Sequence, residues 1–560
     1  MEVFQFKKLL KNRMRNLICF LVSTHLCAAA FAQFTNDVYL NTPICVEFGK
    51  QNDARILGDG HGGAFIAWKD ARNGTANPDI YMQHIDSLGY SLWASSGIPI
   101  CNDLSDQSTP NLCSDMQGGV IITWSDLRSG LERDVFAQRV TSTGDILWMT
   151  NGVPVADKVM REHNEKVCSD GIGGAYVVWE QFDDSIGYWN IATQHIDSNG
   201  NRLWDLNGIL VSNLIATRLN PKIQKGKFGG MYLTWQDFRN GLDYDIYAQR
   251  YASNGTPLWN AEGLVVAENT GSQINPKIDS DSISGGIYIA WADKRNGIDY
   301  DIYAQRIDLT GNYFWQAGGI PVGYEVGNQS AVDILSTSSS NGVIVTWRDG
   351  RNGHDDIYID KISPEGISSW QTNGLQLSAS NFNKLNPNIC SDGNGGAIVA
   401  WQDSTINDWD VYSQKINANG QIQWTPGGAV VSSAIEIQSH PKNIPDGHGG
   451  SIYVWQDKRA NQYDIYCHHL NSEGSGINTT SLGPLKVSLY PIPTENYIQI
   501  SSSFRISEIR IYSILGNLLY SQRGDFGLNA EVSLLKFPTG TYILELKSMN
   551  TAIRRNVVKY

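Results

Sequence analysis

The most frequent polar feature of the sequence is an aspartate two residues after a tryptophan, in most copies followed by an arginine two residues later. Such carboxylates could bind cations or sugars, or they could cap hairpin turns and pair with the arginine of their own repeat. The second interpretation is favoured, because a catalytic site needs a few unlike residues in one place. The residues are Asp70, Asp126, Asp237, Asp293, Asp349, Asp403 and Asp457, with Arg72, Arg128, Arg239, Arg295, Arg351 and Arg459.

A second recurring motif is Asp-Gly-x-Gly-Gly, which begins at Asp59, Asp170, Asp392 and Asp446. Its glycines suit tight hairpins, since they tolerate positive φ angles. Its aspartate could instead ligate Ca²⁺, but calcium loops carry several carboxylates at alternating positions. The pattern therefore favours plain hairpins, with Ca²⁺ as the alternative, and no cofactor is assigned.

Two repeats depart from the pattern, and each adds a tryptophan outside the regular positions. The third repeat has Gln181 where aspartate is usual and the extra Trp189, and the seventh repeat has the extra Trp409. Exposed aromatic rings can stack on a sugar or protein ligand. Trp189 and Trp409 are therefore candidate ligand contacts, with ordinary packing as the alternative. No known catalytic or phosphate-binding motif occurs, so no catalytic, cofactor-binding or metal-ligating residues are predicted.

These residues belong to a repeat of about 55 residues that organises most of the chain. Its first tryptophan occurs eight times, at intervals of 54 to 56 residues, from Trp68 to Trp455. Each repeat contains short aromatic and β-branched segments bounded by Gly, Asn and Asp, which are typical of strands. Four short strands per repeat predict an all-β, eight-bladed β-propeller over residues 33–474. A parallel β-helix is the weaker alternative.

The two ends of the repeat array are complementary. Residues 42–45 match residues 98–101 at the end of the first repeat, while the last repeat lacks its second tryptophan and its closing segment. The N-terminal segment would then donate the missing strand to the last blade, leaving no open sheet edge. Cys45 and Cys467 would share that blade and could form a disulfide if their Cα atoms lay within about 6.8 Å. Two separate thiols are the favoured alternative.

Residues 1–32 have the order of a secretory signal peptide: five basic residues, an apolar segment over 17–31 and a small-x-small site before Gln33. The apolar segment is short for a membrane anchor. Removal of residues 1–32 changes the net charge from −13 to −17. An acidic chain is poorly suited to nucleic acid, and no later segment is apolar enough to span a membrane. The sequence predicts a soluble protein exported through the periplasm.

After a polar linker over residues 475–484, residues 485–560 no longer follow the repeat. They contain Leu489-Tyr-Pro-Ile-Pro-Thr494, a Leu-x-x-x-x-Gly-x-Tyr block over 535–542 and a basic tail. This segment resembles the type A C-terminal sorting domain of type IX secretion cargo, and it departs from that pattern at Ile492 and Ser513. The resemblance implies a small Ig-like β-sandwich that engages the type IX machinery. It also implies delivery to the cell surface or the medium, typically with removal of the domain.

The sequence favours a non-catalytic exported propeller that binds an extracellular protein or glycan, as an adhesion or binding scaffold. The alternative is a secreted polysaccharide-active enzyme, a glycoside hydrolase or lyase on a propeller frame. A fold supports many functions, so the site must distinguish the two.

Overall fold

The computed structural model describes residues 33–560 apart from short gaps. The gaps are residues 131, 157–159, 338–341, 379, 406–407, 477–486, 491–493, 495, 503–505, 514–517, 525, 528, 549–550 and 560. The expected signal peptide, residues 1–32, and most of the expected linker lie outside the described residues. Within the described part the chain forms strands and turns and contains no helix, so the predicted all-β class is confirmed.

The chain divides into two compact units, of which the first contains Thr42–Ser475 and the second contains Gly476–Tyr560 with Thr35–Asn41. The first strand, β1 (Thr42–Cys45), belongs to the last sheet of the first unit. Seven other four-stranded sheets follow in chain order. Sheet 1 is β2 (Gln51–Gly58), β3 (Ala64–Asp70), β4 (Asp79–Ile85) and β5 (Ile98–Cys101); sheet 2 is β6 (Gln107–Ser114), β7 (Val120–Asp126), β8 (Asp134–Val140) and β9 (Val153–Pro154); sheet 3 is β10 (Arg161–Ser169), β11 (Ala175–Asp183), β12 (Tyr188–Ile196) and β13 (Ile209–Leu210); sheet 4 is β14 (Arg218–Lys225), β15 (Met231–Asp237), β16 (Asp245–Tyr251) and β17 (Leu264–Ala267).

The remaining sheets of the first unit continue the same arrangement. Sheet 5 is β18 (Gln273–Ser280), β19 (Ile287–Asp293), β20 (Asp301–Ile307) and β21 (Ile320–Gly323); sheet 6 is β22 (Gln329–Ser336), β23 (Val343–Asp349), β24 (Asp356–Ile362) and β25 (Leu375–Gln376); sheet 7 is β26 (Lys384–Ser391), β27 (Ala397–Ser404), β28 (Trp409–Ile416) and β29 (Ala429–Ser432); sheet 8 is β30 (Gln438–Pro445), β31 (Ser451–Asp457) and β32 (Asp464–Leu470), with β1 added beside β32. All strand pairs in these sheets are antiparallel. The N-terminal strand therefore completes the sheet that the last repeat begins, as the sequence predicted.

The first strands of the eight sheets contact one another in sequence. Each of β2, β6, β10, β14, β18, β22 and β26 contacts the first strand of the next sheet, and β30 contacts β2. The series of contacts among the described strands therefore returns to its starting point. Between neighbouring sheets the apolar faces pack together, as where Phe65 and Trp93 of the first repeat meet Trp124 of the second. The eight repeated tryptophans, from Trp68 to Trp455, are completely buried.

Each first strand contains a β-bulge at the same place. The pairing with the second strand shifts by one residue, as between Leu219 and Lys222 in sheet 4. One residue inside each bulge, here termed the bulge residue, has a positive φ angle. The bulge residues are Asp53, Thr109, Asn164, Asn220, Asn275, Ala331, Asn386 and His440. Asparagine is common there because it tolerates the left-handed region better than other residues with a Cβ. The residue two positions later, the post-bulge residue, resumes the regular pairing.

The second unit contains two antiparallel sheets among its described residues. One is formed by β33 (Val487–Tyr490), β34 (Tyr497–Ser502) and β37 (Asn529–Ser533); the other by β35 (Glu508–Ser513), β36 (Leu518–Arg523), β38 (Gly540–Ser548) and β39 (Thr551–Lys559). Side chains of both sheets, including Ile498, Val532, Ile509 and Leu544, meet in one buried cluster. The unit thus has a hydrophobic core of its own.

The cysteines of the described chain are free and buried. Across the pair of β1 and β32, Cys467 faces Thr42 whereas Cys45 faces Ile465. The Cys45 thiol lies instead against Arg72, whose guanidinium nitrogen is 3.0 Å from the sulfur. The hypothesis of a disulfide between Cys45 and Cys467 is therefore wrong, because the strand register does not place the two cysteines opposite each other.

Candidate functional site

The repeated Trp-x-Asp-x-Arg residues form one hydrogen-bonded unit within six of the eight sheets. In sheet 1 the Asp70 carboxylate accepts from the indole nitrogen of Trp68 at 2.6 Å and from the guanidinium of Arg72 at 2.6 Å. The backbone amide of Arg72 donates to the other carboxylate oxygen at 2.9 Å, which closes the turn after β3. The Arg72 guanidinium also lies 3.9 Å from the ring centroid of Tyr81. The structural interpretation of these aspartates is confirmed, since their oxygens are used inside the sheet.

Sheets 3 and 7 depart from this unit. Sheet 7 keeps Asp403 but has Thr405 in place of the arginine, and sheet 3 departs further. Gln181 replaces the aspartate, and the buried indole nitrogen of Trp179 has no hydrogen-bond partner among the described residues. β11 and β12 are each nine residues long, so their hairpin extends further than in most sheets. The departure that the sequence shows in the third repeat is therefore a real change in structure.

The Asp-Gly-x-Gly-Gly motifs are hairpin turns. The Asp59 carboxylate accepts from the backbone amides of His61 at 2.7 Å and Gly63 at 2.9 Å. Its second oxygen lies 3.1 Å from Nε2 of His84 in β4. The predicted hairpins are confirmed, and the aspartate that a calcium ion would need is bonded to its own turn. In the part of the chain that is described, no group of three or more His, Cys, Asp and Glu side chains is placed to hold a metal.

The two extra tryptophans lie in different sheets and are not brought together. Trp409 is half-buried at the start of β28, where it faces Ser404 across the hairpin. Trp189 is half-buried in β12, where it faces Phe182 with ring centroids 5.1 Å apart. The ring of His163 meets Trp189 edge to face at 4.5 Å. Trp189 thereby becomes part of the wall of a cleft.

This cleft has two adjoining lobes and lies where sheets 2, 3 and 4 meet. The main lobe has a volume of about 510 Å³, and the side lobe has a volume of about 280 Å³. Arg133 and His163 line both lobes. The main lobe is lined by Ser108, Thr109, Ser125, Arg133, His163, Asn164, Glu180 and Asn220, and the side lobe by Leu127, Glu132, Arg133, Arg161, Glu162, His163 and Trp189. The residues that line the main lobe all have polar side chains, and the carbon atoms of these side chains supply most of the surface exposed in the lobe.

His163 and Glu180 form the fixed polar pair of the main lobe. They face each other across β10 and β11, and His163 Nε2 lies 3.2 Å from a Glu180 carboxylate oxygen. The His163 side chain is 43% exposed and that of Glu180 only 4%. Burial would raise the pKa of Glu180, but hydrogen bonds from His163, Asn164 and the Asn220 amide hold it below its usual range. Glu180 is therefore an ionised hydrogen-bond acceptor that orients His163 toward the cleft.

A second carboxylic acid lies beneath the main lobe. Glu165 is completely buried and accepts hydrogen bonds from the hydroxyls of Ser125 at 2.8 Å and Thr109 at 3.0 Å, both of which line the cleft. Burial raises the pKa of Glu165 above its usual range, although Lys166 partly counters this. The protein environment thus favours the protonated form of Glu165 below the lobe and the ionised form of Glu180 at its wall.

The charges around the cleft are largely paired. Arg133 donates to the Ser108 hydroxyl at 2.8 Å and forms an ion pair with Asp106. Arg161 in the side lobe lies 3.4 Å from Glu132 and 3.2 Å from Asp184. The cleft consequently offers oriented donors and acceptors rather than a single strong charge. Such a surface can hydrogen-bond a polyhydroxylated ligand, and Trp189 can stack against it.

The sequence pointed to Trp189 but missed the residues of the main lobe. Asn164 and Asn220 are bulge residues, and Ser125 and Glu180 occupy the variable position of the Trp-x-Asp motif. A comparison of that variable position between repeats gives the missing signal: it is glutamate only in the third repeat. The grouping itself follows from sheet packing, since the lining residues come from three repeats.

Comparison with known proteins identifies the C-terminal segment. Residues 488–560 match the secretion system C-terminal sorting domain family. The chain is therefore exported by type IX secretion, to the cell surface or into the medium. No described helix has the length and apolar character needed to cross a membrane. No curated protein matches the chain.

Several solved structures are similar to parts of this chain at low identity. They include an α-L-arabinofuranosidase from Lactobacillus brevis (12% identity, 49% of this chain and 96% of that chain, TM-score 0.26). Two others are an endo-arabinase from Bacteroides thetaiotaomicron (12%, 60% and 97%, TM-score 0.28) and an α-L-arabinofuranosidase from Fusarium graminearum (9%, 56% and 95%, TM-score 0.32). TM-scores this low support no inference about activity. The family relationship of this chain is thus established for its sorting domain, residues 488–560.

Proposed function

We propose that this exported protein binds a glycan in the cleft between sheets 2, 3 and 4. The observation that carries the proposal is a main lobe of about 510 Å³ lined only by polar side chains, next to a side lobe that contains Trp189. Sugar hydroxyls need donors and acceptors in fixed positions, and the apolar face of a sugar ring stacks on an aromatic side chain. A volume of this size suits a few sugar units, whereas a protein partner needs a broad surface.

The frame that supports this site is proposed to be an eight-bladed β-propeller over residues 33–474. The support is the return of the first-strand contacts from β30 to β2 and the donation of β1 to sheet 8. Residues 485–560 are proposed to be a type A sorting domain with an Ig-like sandwich fold, connected through the linker 475–484. Residues 1–32 would direct the chain into the periplasm, and the sorting domain would then engage the type IX machinery.

Binding of the full chain to a panel of neutral and acidic oligosaccharides, followed by calorimetry on the hits, tests the proposal. Trp189→Ala should weaken binding of a cleft ligand about tenfold, because one stacking contact is lost. Trp409→Ala is the matched control: it removes the other extra tryptophan from a different sheet and should leave that affinity unchanged. A ligand whose affinity depends on Trp409 and not on Trp189 would place the binding site elsewhere. Binding of no glycan at all would reject the proposal.

A polysaccharide-active enzyme is the second candidate, and the ionised carboxylate of Glu180 at the wall of the main lobe favours it. Burial raises the pKa of Glu165, but this acid lies behind the Ser125 and Thr109 hydroxyls and would reach a ligand only through them. Incubation of the full chain with the same panel, followed by chromatography for shortened products, tests for turnover. Products that form with the wild type and disappear in Glu180→Gln, a variant of the acid that lines the main lobe, would establish the enzyme. Tight binding without products would leave the non-catalytic binding function.

A further inference from the structure

The eight post-bulge residues occupy the same position in the eight first strands. Because these strands contact one another in a closed series, the post-bulge residues form a ring. They are Arg55, Asn111, Lys166, Lys222, Lys277, Asp333, Asn388 and Lys442. Each is the first residue to resume pairing after the bulge, and successive first strands are in contact. Five of the eight are cationic and one is acidic, in a chain whose net charge is −13. This set is termed the post-bulge ring.

Direct contacts join members of the ring across neighbouring sheets. Lys277 forms an ion pair with Asp333 at 3.0 Å. Asn388 donates to the second Asp333 oxygen at 3.1 Å, and Asn111 donates at 3.0 Å to the backbone carbonyl of Glu165, the residue before the ring member Lys166. The single acidic member of the ring is therefore already paired. The other four cations, Arg55, Lys166, Lys222 and Lys442, are close enough to influence one another's charge.

The fold does not need a positive charge at this position, since sheet 6 has Asp333 there. The Lys222 amine donates to the carbonyl of Pro221 at 3.1 Å, and Lys166 donates to the carbonyl of Glu165 at 2.8 Å. Asn111, at the same register position in sheet 2, donates to the carbonyl of its bulge residue Thr109 at 3.0 Å with a neutral amide. The positive charge at five positions thus exceeds what the bulge requires.

Concentrating these charges is unfavourable for the folded protein on its own. Burial lowers the pKa of Lys442 to about 8, and Arg55 and Lys277 add repulsion. Burial likewise lowers the pKa of Lys166 to about 8, although Glu165 opposes the change. For Lys222, burial together with Lys166 and Lys277 lowers the pKa well below its usual range. An anion near these amines would offset the free-energy cost of burying their charges and of their mutual repulsion.

The ring and the cleft meet at two bulges. Asn164 and Asn220, which line the main lobe, come two residues before Lys166 and Lys222 in the chain. The side-chain oxygen of Asn164 accepts from the Lys166 amine at 2.7 Å. The Asn164 side chain therefore lies between the main lobe and the Lys166 amine.

We propose that the post-bulge ring binds the anionic substituents of an acidic polysaccharide whose neighbouring sugars occupy the cleft. The proposal rests on the glycan-binding function above and narrows its ligand to chains that carry carboxylate or sulfate groups. Ammonium and guanidinium groups form charge-assisted hydrogen bonds with both kinds of oxyanion. The paired charges of the cleft walls would orient the sugars, and the ring would select for the acidic ones.

Calorimetry with the full chain tests the proposal with four probes: oligogalacturonate, a sulfated galactan oligosaccharide, a neutral galactan oligosaccharide of the same length and inorganic sulfate. The test variant is Lys166→Asn/Lys222→Asn, because the chain itself uses Asn at this position in sheets 2 and 7. Lys458→Asn removes a lysine outside the ring and is the matched control. If the double variant does not fold, Lys442→Asn in sheet 8 tests the opposite part of the ring.

We expect at least one acidic probe to bind, and the double variant to weaken it by about tenfold or more through lost charge-assisted bonds. Lys458→Asn should leave that affinity unchanged, and the acidic probe that binds more tightly identifies carboxylate or sulfate as the preferred group. Equal affinity for the neutral and acidic oligosaccharides would overturn this inference while the glycan-binding function stands. If no oligosaccharide binds, the glycan-binding function fails. Equal sulfate affinity in the wild type and the double variant would separately overturn anion binding by the ring.

Discussion

The backbone amide of Asp53 donates a 3.1 Å hydrogen bond to the side-chain oxygen of Gln456, which lies 403 residues further along the chain. Sheets 3 and 4 are joined in the same way, through the Asn220 amide and Glu180 at 2.7 Å. In each case the variable residue of a Trp-x-Asp motif accepts from the bulge residue of the next sheet. The last sheet of the first unit therefore contacts the first sheet through the same kind of bond that connects consecutive sheets.

This relationship predicts that Gln456→Ala lowers the free energy of unfolding by about 1–2 kcal/mol, since the Asp53 amide loses its acceptor. Gln402→Ala is the matched control, because the Gln402 oxygen accepts from Asn386 within its own sheet at 3.2 Å. Urea denaturation of both variants measures the difference. Equal losses would mean that the bond between the last and first sheets adds no stability beyond ordinary contacts within a sheet.

The Trp-x-Asp-x-Arg unit predicts a larger loss in sheet 4. The Asp237 carboxylate accepts from Trp235 at 2.9 Å, Arg239 at 2.6 Å and Arg218 at 2.9 Å. Asp237→Ala leaves these donors without their acceptor and should cost about 3–5 kcal/mol of unfolding free energy.

Sheet 3 supplies the control for Asp237→Ala, because it lacks the aspartate. Gln181→Ala should cost about 1 kcal/mol, the value of an ordinary neutral hydrogen bond. Urea denaturation followed by tryptophan fluorescence compares the two variants. Equal losses of unfolding free energy would mean that Asp237, despite its three donors, contributes no more stability than one neutral hydrogen bond.

The strands could be predicted from the sequence because each repeat contains short aromatic and β-branched segments bounded by Gly, Asn and Asp. The apolar segment that ends in Trp291, for example, is β19 (Ile287–Asp293) in the structure. The donation of β1 could be predicted as well, since residues 42–45 match residues 98–101.

The cleft could be predicted only in part. Trp189 was identifiable because it breaks the repeat, but its contact with His163 depends on the register of β10 against β11. The bulges could not be predicted from the sequence. Every repeat contains the same one-residue shift in strand pairing, so the repeats show no insertion relative to one another. Asn220 stands before a proline in the sequence, but its positive φ angle of 55° and its place in the cleft lining are features of the structure.

The sorting domain predicts how the location of the protein depends on its C-terminal segment. Deletion of residues 488–560 should leave the chain in the periplasm of a bacterium with type IX secretion, because the matched domain is the signal for passage across the outer membrane. Fractionation and immunoblotting measure the distribution. Trp189→Ala is the control and should be exported like the wild type. Export of the truncated chain at the wild-type level would show that residues 488–560 are dispensable for secretion.

Two buried aspartates of sheet 8 predict opposite dependences of stability on pH. Burial and the nearby Asp457 carboxylate raise the pKa of Asp464 to about 7, although Gln462 partly counters this. For Asp446, burial acts in the raising direction, but hydrogen bonds from His469 and two backbone amides hold the pKa below its usual range. The folded protein therefore favours a neutral Asp464 and an ionised Asp446.

For Asp464, the stabilising contribution is fully present below the unfolded pKa of about 3.9 and is lost as the pH rises through about 7. Asp464→Asn keeps the side chain neutral, so its melting temperature should exceed that of the wild type at pH 8.5, and the gap should narrow as the pH falls and close below about pH 4. For Asp446, the contribution is present above the unfolded pKa and is lost as the pH falls through the folded value. Asp446→Asn should therefore be least stable relative to the wild type at neutral pH, with a gap that narrows below pH 4. Differential scanning calorimetry of both variants from pH 3.5 to 8.5 measures the two gaps. At pH 7 to 8.5 Asp464→Asn should melt above the wild type and Asp446→Asn below it, and gaps of the same sign would contradict the assignment.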